Sequence, residues 1–184
     1  LANMDATLPG GAAGEAAMTY LLAFRRGANP VPTAGARLQA LGGDERLLHT
    51  MAAAVLQFES PISMFGQLRQ DERGVDLKRG GIFPIVHGLR CLALKHGIRQ
   101  RNSFARCEAL EQAGGLDAAL ARDVAQTLAV LQRLRLDAQL ATLDAGGVPD
   151  NFLHPEALRR LDRELLRDAL RVVKAFQQHV RGVF

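Results

Sequence analysis

Beyond Pro155, apolar residues stand at Leu158, Leu161, Leu165, Ala169, Val172, Phe176 and Val180, in steps of 3, 4, 4, 3, 4 and 4. A half-buried strand repeats every second residue, whereas steps of three and four place one stripe along an α-helix. Upstream, Leu120, Val124, Leu128, Leu131, Leu134 (or Leu136) and Leu140 mark a long helix over about residues 116–143. Asp44 is a good N-cap for a helix carrying Leu47, Leu48, Met51, Val55, Leu56 and Phe58. The run around Pro84 predicts another, stopped by Gly97, and Asn102–Ser103 opens one more, ended by Gly114–Gly115. Ser60 with Pro61 reads as the cap and first position of a shorter helix carrying Ile62, Phe65 and Leu68. Pro155 opens the last helix. The chain is therefore read as all-α, an antiparallel, four-helix-bundle-like arrangement.

Composition agrees with this reading. Of 184 residues, 48% are hydrophobic but only 5% aromatic, so the core must be built from Leu, Ala and Val. Residues 1–41 are Gly-, Ala- and Pro-rich and read as a flexible leader and connector, with a short helix possible at 15–24; residues 42–184 form the domain. No apolar run approaches the ~20 residues that span a bilayer, and no signal peptide is visible, so a cytoplasmic location is expected. A net charge of +4 permits a phosphate-bearing partner but is mild for a dedicated nucleic-acid binder. Cys91 and Cys107 read as reduced core thiols.

Catalytic patterns are missing. The five histidines (His49, His87, His96, His154, His179) are scattered, without metal-ligand spacing. Gly80–Gly81 has no strand before it and reads as a helix-start turn rather than a phosphate loop. Paired carboxylates on a strand, which would hold Mg²⁺ for nucleotidyl transfer, do not occur; Asp71–Glu72 and Asp162-x-Glu164 read as solvated faces. Two polar groups stand out. Asp76, Lys78 and Arg79 before Gly80–Gly81 combine a carboxylate, two cations and a helix start, suited to an anionic ligand or to a local salt-bridged cap. Arg135 and Gln139, four residues apart, share one helix face and suit either a ligand groove or a structural hydrogen-bond pair. Lys95, Arg99, Arg101 and Arg106 form a looser basic patch around a turn, with solvated charge as the default account.

Five segments in order, VDLKRGGIFPIVHGLRCLALKHGI, Asn102-Ser103-Phe104-Ala105-Arg106, LQRLRLDAQL, Pro149-Asp150-Asn151-Phe152 and LDRELLRDALRVVKAFQ, carry a family resemblance. Over about residues 42–184 the chain resembles the C-terminal, substrate-binding domain of bacterial signal-transduction nucleotidyltransferases, which often carry cyclic-nucleotide-binding and CBS domains. The resemblance implies an accessory domain, non-catalytic in isolation, beside an upstream transferase domain similar to the catalytic part of protein-PII uridylyltransferase. It implies an Mg²⁺-nucleotide for the parent enzyme, and a nucleotide or an acceptor protein as ligand. Candidate substrate-binding positions carried over from its motifs are Asp76, Lys78, Arg79, Arg90, Arg106, Arg135, Gln139, Asp150 and Asn151. The competing expectation is a helical dimerisation or scaffold module with no ligand, marked by an exposed Leu/Val patch.

Overall fold

A computed structural model describes residues 43–63 and 66–184. The leader and connector expected over residues 1–41, and Phe65, lie outside the described residues.

Helix α1 (Glu45–Leu56) starts where Asp44 Oδ1 accepts from the Leu47 amide at 3.1 Å, and it buries Leu47, Leu48, Ala52 and Val55. Its C-terminal end is closed by a distant side chain. The buried Gln177 amide donates to Val55 O at 2.8 Å and Phe58 O at 2.7 Å, satisfying carbonyls a helix end leaves open.

The next segment departs from the expected Ser60 helix. Ser60 Oγ donates instead to Leu170 O at 3.0 Å, and buried Ile62 forms an antiparallel bridge with Leu68. Arg69 N donates to Pro61 O at 2.9 Å, so the described parts of the segment run as a folded-back loop.

Strand β1 (Val75–Asp76) then leads through buried Leu77 into a π-helical turn, Lys78–Ile82, and helix α2 (Phe83–Lys95). Gly80 and Gly81 are there for close packing. A Cβ on Gly80 would stand 2.5 Å from Pro61 Cδ, and one on Gly81 2.8 Å from Leu131 Cδ1. The pair lets the turn lie against the neighbouring elements, and a strand, β1, does precede it, contrary to the expectation that none would.

Helix α3 (Ser103–Gln112) is capped by Asn102 Oδ1, which accepts from Phe104 N at 2.8 Å. Helix α4 (Ala118–Asp144) is capped by Asp117 Oδ1, which accepts from Leu120 N at 2.9 Å. Strand β2 (Phe152–Leu153) pairs antiparallel with β1, Val75 opposite Leu153 and Asp76 opposite Phe152. This ladder is too short for any alternation of residue type to reveal it in the sequence.

Pro155 opens a short 3₁₀ turn (Pro155–Ala157) rather than the last helix, and α5 spans Arg160–Val183. The buried stripe of α5 is Leu166, Ala169, Leu170, Val173, Phe176, Gln177 and Val180. Leu161 and Leu165, placed on it by spacing alone, are 83% and 39% exposed. On α4 the alternative resolves to buried Leu134, and Leu136 and Leu140 face outward. The five helices enclose a Leu-rich core in which Leu77, Ile85, Leu89, Leu92, Leu110, Leu128, Leu131, Leu166 and Phe176 are fully buried.

Three titratable groups sit inside this packing. Cys91 and Cys107 are free and buried; burial pushes their thiols up to about 12 and about 11. His87 stacks on Phe83, ring centroids 5.1 Å apart, and its Nε2 lies 3.0 Å from Met51 O. Burial lowers its pKa below the ordinary 6.5; the Met51 carbonyl opposes this and the Arg90 charge adds to it. A ring kept neutral in the fold but protonated in the unfolded chain contributes stability above its unfolded pKa that is lost as pH falls through it. His87→Gln is therefore expected to flatten the acid side of a plot of Tm against pH, between about pH 7 and 5. An unchanged slope would assign the acid loss to other groups.

Candidate functional site

The β1–β2 ladder draws together residues about 75 positions apart and lays them on α4. Leu77 N donates to Asn151 O at 3.0 Å, extending the ladder to the mouth of the π turn. Asp76 Oδ1 accepts from Arg79 N at 2.9 Å, and Asp150 Oδ1 from Phe152 N at 2.9 Å. Each carboxylate therefore shapes its own turn. Gln139 of α4 donates its amide to Asp150 O at 2.7 Å and ties the second turn to the helix.

Arg135 lies between these points. Leu131, Arg135 and Gln139 follow one another by one helical turn; Leu131 touches Gly81 and Gln139 holds Asp150. Arg135 is thus placed between the π turn and the Asp150–Asn151 turn. Arg135 Nε and Asn151 Oδ1 are both buried without a hydrogen-bond partner in the protein. A buried donor or acceptor left unmade costs about 1–3 kcal/mol, so such atoms mark places where a polar ligand gains most.

Of the nine sequence candidates, seven (Asp76, Lys78, Arg79, Arg135, Gln139, Asp150 and Asn151) belong to this junction. Lys78 and Arg79 are exposed on the turn, with the Arg79 guanidinium 5.5 Å from the Phe58 ring centre. Arg90 and Arg106 belong to the α2–α3 pair instead. Arg90 stands eight residues past Ile82, about 12 Å along the axis. Arg106 is only 8% exposed, among Cys107 and Leu110. Its burial also removes it from the basic patch expected at Lys95–Arg106. Lys95 donates to Val183 O at 2.9 Å and lies over the Phe184 ring, which gives it a local structural partner.

Two features escape the sequence reading. Arg73 lies over the Phe152 ring, 4.0 Å from its centroid, and meets Asp150 Oδ2 at 3.8 Å, bracing the same junction. The other is a groove of about 580 Å³ beside α5, into which Arg163, Arg167 and Arg171 project. The four-residue recurrence of these arginines is visible in the sequence, but the apolar stripe of the same helix is the stronger periodic signal. Among the described residues, no group of three or more His, Cys, Asp or Glu is placed to hold a metal ion, and no helix is long and apolar enough to cross a membrane.

The described residues thus form a helical bundle with a polar junction at one short strand pair. Residues 45–184 match the protein family described as "Putative nucleotidyltransferase substrate binding domain", and the chain belongs to that family. Neither the curated proteins nor the solved structures yield a match to the chain.

Proposed function

We propose that this domain contacts the substrate of an adjoining nucleotidyltransferase domain through the junction of β1, β2 and α4, and is itself non-catalytic. The observation that carries the reading is the meeting of Asp76, Gln139, Asp150 and Asn151 where the β1–β2 ladder lies on α4, with Arg135 Nε and Asn151 Oδ1 buried and unpartnered. Family membership supports the substrate-binding role. The finer resemblance, to bacterial signalling enzymes with CBS and cyclic-nucleotide-binding domains and a protein-PII uridylyltransferase-like catalytic part, makes an Mg²⁺-nucleoside triphosphate the first ligand to try. The metal would arrive with the nucleotide. A cytoplasmic setting and an acceptor protein belong to the same reading.

In this scheme Lys78 and Arg79 offer charge to phosphate oxygens, and the Arg135 guanidinium and the Asn151 amide, whose inner atoms are buried and unpartnered, gain partners as the junction adjusts around a bound ligand. Calorimetric titration of the chain with Mg²⁺-nucleoside triphosphates tests it. Saturable binding is expected, weakened about tenfold or more in Arg135→Ala, the effect of losing one charge-assisted contact. A second reading, a scaffold or dimerisation module, is favoured by Leu136, Leu140 and Leu143 on α4, each about half exposed, and by exposed Leu161 on α5. Absence of heat with every triphosphate, together with concentration-dependent self-association, would favour the scaffold.

A further inference from the structure

Arg163, Arg167 and Arg171 recur every four residues on α5, so their stems leave the helix on one side, about 6 Å apart along its axis. They enter the groove of about 580 Å³ whose other walls are the 66–70 segment and the Pro155–Glu156 turn. That volume suits a small ligand or the charged end of a larger one. No residue of the β1–β2–α4 junction lines it, so a ligand bound in the groove would be independent of one bound at the junction.

The three arginines are held differently. Arg163 is fixed as part of the wall: its Nε donates to Pro155 O at 2.9 Å and its Nη2 to Leu158 O at 3.2 Å. Arg171 Nη1 meets Asp168 Oδ1, and its Nη2 passes so close over Gly66 that a Cβ there would stand 2.6 Å away. Arg167 is held through one terminal nitrogen only: its Nη1 donates to Glu164 Oε1 at 2.7 Å, while its Nε is buried within the wall without a hydrogen-bond partner. The side chain is about one-third exposed, which leaves Nη2 as the donor that can reach an oxyanion in the groove.

The described lining offers charge and amide groups and no aromatic plane, so it suits phosphate oxygens better than a stacked base. The lining arginines outnumber the lining carboxylates, Glu156 and Glu164, by one, but Asp168 on Arg171 balances the charge, so recognition rests on the guanidinium donors; Gln70 engages the Glu156 carboxylate. We infer that this groove is an oligophosphate site, in which Arg167 takes one phosphoryl group through Nη2 and Arg171, one turn on, takes the next. Glu164 and Asp168 hold the two forks in place.

Sodium tripolyphosphate, titrated calorimetrically into the whole chain at low salt, tests the assignment, with Arg167→Gln and Arg101→Gln measured in parallel. Arg101 is an exposed cation outside the groove and reports unspecific attraction. The expected result is saturable binding, weakened about tenfold or more by Arg167→Gln and changed by less than about twofold by Arg101→Gln. Thermal unfolding should show both variants folded. If Arg167→Gln does not fold, Arg167→Lys, which keeps the charge and loses the fork, should show the weakening. No saturation at millimolar tripolyphosphate, or equal losses in the groove and control variants, would overturn the assignment. Absence of tripolyphosphate binding with intact nucleotide binding would reject this groove and spare the junction; the reverse would reject the junction and spare the groove.

Discussion

Phe176→Ala is expected to destabilise the folded chain by about 3–5 kcal/mol in denaturant unfolding, the range for deleting a buried ring whose surroundings cannot collapse. Phe176 is fully buried, and its ring lies against α2 at Gly88: a Cβ on Gly88 would stand 2.5 Å from Phe176 Cε1. The missing side chain at Gly88 makes room for the ring, so removing the ring leaves a cavity between α5 and α2. Leu161→Ala, on the same helix, is expected to change stability by less than about 0.5 kcal/mol, because Leu161 is 83% exposed. Similar losses in the two variants would contradict the orientation of α5.

The same pair shows how far periodicity reaches. Spacing identified α5 as a helix and placed Ala169, Phe176 and Val180 on its inner face, where they are. It misjudged the first turns, because adjacent Leu165 and Leu166 offer two rows that satisfy a three- and four-residue repeat equally well. In the fold Leu166 is the row that is buried, and Asp162, one turn before it, meets Arg133 of α4 at 2.7 Å at the surface. The caps Asp44 and Asn102 were legible because a cap is satisfied within three residues. The helix expected at Ser60 failed for the opposite reason: its hydroxyl partner, Leu170 O, lies 110 residues away.

Gly74→Ala is expected to unpair β1 from β2. Gly74 has φ +100°, and a Cβ there would stand 2.6 Å from Leu153 O and 2.9 Å from Leu153 C, backbone atoms that cannot rotate aside. The backbone conformation alone costs about 1–3 kcal/mol for a residue with a side chain, and the collision adds to it. Hydrogen exchange gives the local readout, since the Leu77 amide that donates to Asn151 O should lose its protection. Gly97→Ala is the control. Its φ is +66°, but nothing lies within 4 Å of its Cβ position, so about 1 kcal/mol and no change at Leu77 are expected. Retained protection at Leu77 in Gly74→Ala would show that the ladder does not depend on that glycine.

The site was half legible. Asp76, Lys78 and Arg79 announced themselves as charge crowded into one turn, and Arg135 with Gln139 as polar residues on a leucine-rich helix. That the two groups, with Asp150 and Asn151, meet depends on a ladder of two residues per strand and on two glycines packed against Pro61 and Leu131. Neither leaves a periodic trace. Arg90 shares a motif segment with Asp76, Lys78 and Arg79, and Arg106 stands in a segment of its own; both fold into the α2–α3 pair, because order along a motif does not fix which face of a helix a residue occupies.

The most direct test of the β1–β2–α4 junction as a substrate surface is a backbone and side-chain amide shift map of the ¹⁵N-labelled chain during titration with Mg²⁺-nucleoside triphosphate. The largest shifts are expected at residues 76–79, the Gln139 side-chain amide and residues 150–152, with little change in α3. Shifts absent at saturating nucleotide, or gathered away from that junction, would contradict it.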